Sequence, residues 1–251
     1  MSNYVRLKKM LFIVVLSTIA IVLGVIELPL ILPWLKLDLS EVIVLVAVLV
    51  VGYKGAFSVV FLRAFGRRIY KLIAPALIPQ FMVEDPIMGL IGEMIAVIAS
   101  TIIILSYYFI SKKLKTHRKP LLEVVDVEKN KISLKELIFV TFTITFALSV
   151  VLVTFNFFIG TPLYFSYFAV LLGAMDRVYL TVFGFVSDPN LGNAVDIISS
   201  IFGSQTRIFE PNLNAFLVYN LVSYVPFNIG KGLLTSFVFL ALKPRIQKLE
   251  L

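Results

Sequence analysis

Residues 226–232 read PFNIGKG and open the apolar run LLTSFVFLAL. Two of them can do polar chemistry there. Asn228 and Lys231 stand three apart, so on a helix they share a face, and they offer an amide with donors and an acceptor beside three ammonium donors. A lysine at the centre of a membrane helix costs about 2.5 to 3.5 kcal/mol, so it needs a partner, a cavity or a task. One task is hydrogen bonding to a polar ligand in a bundle cavity. The alternative is structural: Lys231 snorkels to the headgroups and Asn228 serves backbone groups freed by Pro226.

Other polar residues in apolar surroundings carry similar pairs of readings. Asn156 can bind a ligand or make a helix-to-helix hydrogen bond worth about 0.6 to 2 kcal/mol. Glu93, following PIMGLIG, suits the positive end of a helix. Glu27 and Asp38 bracket a loop where interfacial solvation satisfies them. Ala20 and Gly24, four apart, make a small-residue face that lets another helix approach closely, within the chain or from a partner. An enzyme would need more. There is no cysteine, no phosphate-binding G-x-x-x-x-G-K-[ST] loop, and the single histidine, His117, lies in the basic stretch KKLKTHRK with no nucleophile or ligand cluster beside it. A membrane-embedded lipid-modifying enzyme would have to work with Glu93, Asp176 and Arg177.

The elements that must position these residues follow from composition. Hydrophobic residues make up 59% and charged ones 15% of 251 residues, with a mean hydropathy of +0.98, a balance that polar surface cannot cover in water. Apolar runs of about 20 residues point to helices and away from barrel strands. The expected fold is an all-α polytopic membrane protein, a single transmembrane domain with six spans near 10–28, 41–51, 56–70, 86–110, 137–159 and 226–242. The GYKG sequence at 52–55 makes a tight connection between the second and third spans. Ser40 and Ser133 are helix caps, the latter in a capping box with Glu136. Residues 161–212 read as a large loop with surface or re-entrant helices, and Pro226 as the point where the last helix restarts. Six spans put both termini on one side, together with the basic patches RLKK, KKLKTHRK and KPRIQK, which the positive-inside rule makes cytoplasmic. The net charge of +8 is thus spent on topology and not on nucleic acid. Arg67 and Arg68 fall on the opposite side, an exception to the rule.

Four stretches together resemble the substrate-binding S component of energy-coupling factor (ECF) vitamin transporters, most of all its riboflavin-specific branch. They are LKLDLSEVIVLVAVLVVGYKGA at 35–56, GEMIAVIAS at 92–100, NFFIGTPLYF at 156–165 and PFNIGKG at 226–232. The resemblance implies an S-component bundle that binds riboflavin with high affinity, carries no cofactor and performs no catalysis. It implies that Asn156, Asn228 and Lys231 hydrogen-bond the vitamin, with Tyr164 and Glu93 lining the site and Asp38 closing over it. It also implies that Ala20 and Gly24 dock onto a transmembrane coupling subunit joined to two cytoplasmic ATPases. The chain departs from the family pattern at Ala96, where an Asn is usual, in GYKG, which lacks a proline, and in the length of 166–212. Biotin, folate or thiamine is the alternative ligand within transport, and an assembly factor using 166–212 as its binding surface is an alternative outside it.

Overall fold

A computed structural model describes residues 3–25, 28–29, 36–37, 39–77, 86–114, 120–123, 133–201 and 207–248. Apart from a ladder of two residues per strand, β1 (Leu28–Pro29) against β2 (Lys36–Leu37), the long elements are helices. They are α1 (Asn3–Val25), α2 (Ser40–Leu77), α3 (Pro86–Leu114), α4 (Leu134–Phe155), α5 (Thr161–Leu171), α6 (Val182–Val186), α7 (Leu191–Ile201) and α8 (Leu213–Ile246). Among the described residues five helices are long and apolar enough to cross a membrane. The chain divides into two compact units, one of residues 1–148 and 229–251, the other of residues 149–228.

In unit 1 the decisive feature is a reversal inside α2. Gly52 sits at φ 85°, a left-handed conformation that glycine alone adopts cheaply, and a Cβ there would lie 2.8 Å from Pro120. Arg63 Nη1 donates to Ser40 Oγ at 2.8 Å across 23 residues, which a straight helix would separate by about 34 Å. The chain therefore folds back at Gly52 into two antiparallel arms, residues 40–51 and 53–77. The first arm is about 18 Å long at 1.5 Å per residue, too short to cross a bilayer alone. It is sheltered: Val44, Leu45, Ala47 and Leu49 are fully buried, the all-round burial of a central helix. The second arm continues to Leu77, longer than the span expected to end near residue 70.

Contacts fix the direction of the other helices in this unit. Ile13 lies near Gly55 and Ile21 near Gly66, so α1 runs parallel to the second arm. Arg63 reaches Ala96 and Ser100 while Arg67 reaches Glu93, so α3 runs antiparallel to it. A Cβ on Gly232 would lie 2.7 Å from Thr145 Cα, and Lys243 pairs with Glu136, so α4 and α8 are antiparallel and their backbones nearly touch. Tyr107 and Phe239 meet edge to face at 5.0 Å. Up and down directions thus alternate through α1, the two arms of α2 and α3, and α4 opposes α8.

Unit 2 holds residues expected to be loop. Helix α4 does not end before Pro162 but passes through a π-helical turn, Asn156–Gly160, into α5. The Thr161 N–H bonds back to the Asn156 carbonyl, and the wider turn accommodates the proline that follows, which has no N–H to donate. Helix α7 places Leu191, Ala194, Val195 and Ile198 on one buried stripe, the spacing of an amphipathic helix. Its core is aromatic: Phe165 stacks on Phe209 with planes 8° apart, Phe209 meets Phe216 at 5.2 Å, and Phe185 meets Phe216 at 5.5 Å. The Thr161 hydroxyl donates to Asn220 Oδ1 at 2.9 Å and lies 3.0 Å from the Tyr224 hydroxyl. Helix α8 runs unbroken through Pro226, so no restart occurs there; a membrane helix tolerates the one backbone bond that a proline removes.

Candidate functional site

The buried charge of unit 1 begins with Glu41, 1% exposed in the first turn of α2. A carboxylate there suits the positive end of the helix dipole. The reversal at Gly52 brings Arg63, fully buried, back to the same turn. Ser100 Oγ donates to Glu41 Oε2 at 2.7 Å, Arg63 Nη1 lies 3.5 Å from that oxygen, and Arg63 Nη2 donates to Ser100 Oγ at 2.7 Å. On the other carboxylate oxygen, Oε1, stands Lys231 Nζ at 3.4 Å. Lys231 is 6% exposed, turned inward and not towards headgroups. Two cations therefore share one carboxylate in this cluster.

A second pair lies one turn along. Arg67 Nε is 3.2 Å from Glu93 Oε1, and both are buried. This pairing accounts for one of the two arginines that broke the positive-inside pattern: a guanidinium neutralised within the protein carries little topological information. Glu93 is thus held by Arg67 and lies beyond the first turn of α3, away from the helix end expected to favour it. Ala20 is fully buried, and a Cβ on Gly24 would meet the Arg67 side chain at 3.1 Å, so the small-residue face of α1 lies against α2. Docking on a partner through those two residues would require α1 to part from α2. At the far end of α8, Lys243 belongs to an internal pair with Glu136, although its KPRIQK patch reads as a solvated anchor. Ser133 caps α4 through the Glu136 N–H at 3.1 Å, but the Glu136 carboxylate turns to Lys243 and does not close the capping box.

The remaining candidates are spread over the chain. Asn228, 1% exposed, keeps an Nδ2 with no hydrogen-bond partner among the described residues. Asn156 is 4% exposed and packs its amide over Gly160, where a Cβ would lie 2.5 Å from Oδ1. Tyr164 is half-buried on α5. These three belong to unit 2, whereas Glu93 and Lys231 belong to unit 1. Asp38, Glu27 and His117 lie outside the described residues. The residues missed by sequence reading are Glu41, Arg63 and Ser100, and the usable signal was an arginine and a glutamate placed almost equally far on either side of GYKG.

Unit 2 also carries an open, mostly apolar groove of about 470 Å³, lined by Phe209, Ala215, Val218, Tyr219 and Val222 among others. None of the candidate residues enters it. Asp176 and Arg177 are exposed. Nearby, Tyr179 donates its phenol proton to Asp188, and this bond holds the phenol above its ordinary pKa. Arg207 pairs with Asp196 at 2.6 Å and holds that carboxyl below the usual range. No group of metal-ligating side chains forms among the described residues.

Helix count, reversal and bundle order define an all-α polytopic membrane protein. The fold is similar to that of the solved S component of a bacterial ECF transporter, with a TM-score of 0.52 and 22% identity over 96% of this chain and 95% of that one. No protein-family model matches the sequence, and no curated protein does.

Proposed function

We propose that this chain is the substrate-binding subunit of an ATP-driven ECF-type vitamin importer and that its ligand is riboflavin. The fold likeness supports the class, and the PFNIGKG motif supports the flavin. The observation that carries the proposal is the inward placement of Asn228 and Lys231. Leaving a buried amide donor unpaired costs about 1 to 3 kcal/mol, and a ligand carbonyl or hydroxyl would remove that cost. Riboflavin offers such acceptors along its pyrimidine edge and ribityl chain, and a flat ring suits aromatic walls. In this scheme Asn156, Asn228 and Lys231 read the polar edge, Tyr164 and Glu93 line the site, and Asp38 helps to exclude water. The coupling subunit and two ATPases supply the energy, both termini face the cytoplasm, and this chain binds without pumping.

A carboxylate vitamin such as biotin or folate is the second reading. It is favoured by the pairing of two cations with one carboxylate around Glu41, which suits an anion and disfavours the thiamine cation. Purified chain titrated with riboflavin, biotin, folate and thiamine separates these readings. Saturable riboflavin binding, or a yellow ligand that copurifies, is expected; binding of another vitamin with no response to riboflavin would refute the flavin assignment.

A further inference from the structure

Lys231 ends a side chain with four rotatable bonds, and near a bilayer such a chain turns to the headgroups unless something holds it. Glu41 is the ion-pair partner recorded for it, through Oε1 at 3.4 Å. The carboxylate is itself clamped. Ser100 donates to Oε2 at 2.7 Å, Arg63 lies 3.5 Å from the same oxygen, and Arg63 is tied to both Ser40 and Ser100. All members of this chain of contacts are buried. One carboxylate oxygen is thereby fixed to α2 and α3, and the other is left to face α8. At 3.4 Å the contact restrains the ammonium without saturating it, since an ammonium has three N–H donors.

We propose that Glu41 is a positioning residue for ligand binding: held by Arg63 and Ser100 on one oxygen, it aims the Lys231 ammonium with the other. Glu41 acts through Lys231 and makes no ligand contact itself. The assignment rests on the reading of this chain as a ligand-binding subunit. Because Arg63 also draws on Glu41, the pair leaves positive charge at Lys231, so the ligand atom that meets it is an oxygen or nitrogen acceptor and not a cationic group. Glu41→Asp keeps the charge and Glu41→Gln removes it, which separates aiming by charge from packing.

The test is a cycle of purified Glu41→Gln, Lys231→Met and the double variant, with Glu41→Asp alongside, read by riboflavin titration and by thermal unfolding without ligand. Glu41→Gln is expected to weaken riboflavin binding at least tenfold, Glu41→Asp less than threefold, and Glu41→Gln less than twofold once Lys231 is Met. Parent-like binding by Glu41→Gln, or a full loss repeated on the Lys231→Met background, overturns the proposal. If the parent binds no riboflavin, that fails the flavin reading alone, and the ligand-free melts decide. A smaller Glu41→Gln destabilisation on the Lys231→Met background supports the coupling; equal destabilisation on both backgrounds refutes it. Should Glu41→Gln not fold, Ser100→Ala takes its place in the cycle, with an expected loss near threefold that vanishes when Lys231 is Met and an overturning result if the loss persists.

Discussion

Among the described residues of unit 1, three carboxylates lie below the surface with cations against them: Glu41 with Arg63 and Lys231, Glu93 with Arg67, and Glu136 with Lys243. Among the described residues of unit 2 the buried polar contacts are neutral, as in Thr161 with Asn220, or set a carboxylate against a phenol, as in Asp188 with Tyr179. Its guanidinium pair, Arg207 with Asp196, is 40 to 50% exposed. The cohesion of unit 2 comes instead from rings, Phe165, Phe185, Phe209 and Phe216. Ion pairs between helices far apart in sequence fix which turns must meet, and breaking one strands a charge in a poor solvent for it. An aromatic core loses stability roughly in proportion to the volume removed.

Mutations can break this contrast in order of severity. Arg63→Ala takes the guanidinium from a buried carboxylate and two hydroxyls, and it should cost about 5 kcal/mol, the upper end for a broken buried pair. Loss of folded protein from the membrane, or a collapsed detergent melt, is the expected result. The Glu136–Lys243 pair sharpens the point: Glu136→Gln and Lys243→Met should each destabilise more than the two together, since a double apolar-neutral replacement strands nothing. Additive melts there would remove the distinction between the units. Phe216→Ala should cost about 3 kcal/mol by the cavity it leaves, detectable as earlier proteolysis of residues 161–212 than in the parent. Thr161→Val removes the buried hydroxyl that meets both Asn220 and Tyr224 and should cost about 1 to 2 kcal/mol, a small shift in the same assay.

Asp196→Asn is the mildest change. Its carboxyl is held below the ordinary value by Arg207, so the pair contributes above the unfolded-state pKa and is lost as pH falls through the lowered one. The exposed geometry predicts a melt indistinguishable from the parent at pH 7. A clear loss at pH 7 would place this surface pair among the structural ones.

Much of this division could be anticipated from the chain. Continuous apolar runs gave the spans, and the spacing in PFNIGKG singled out Asn228 and Lys231, which the fold buries. Glu41 escapes a reading of the sequence because its partner sits 22 positions later, and nothing short of the reversal at Gly52 reveals that the two meet. Arg67 and Lys243 read as topology signals for the same reason: a charge looks solvated until its counter-ion is located in space. The segment 161–212 reads as loop because it carries Asp176 and Arg177 and then the polar, turn-rich stretch SDPNLGNAVDIISSIFGSQTRIFEPN, yet a π-helical turn carries α4 into α5 and the apolar stripe of α7 packs inward.

The most direct measurement is equilibrium riboflavin binding by the purified chain and by Lys231→Met, each folded in detergent. A ligand-binding subunit built around the inward ammonium gives saturable binding in the parent and a loss of at least tenfold in the variant, about 1.4 kcal/mol. Equal affinities in the two proteins, or no binding of any vitamin by a well-folded parent, would contradict it.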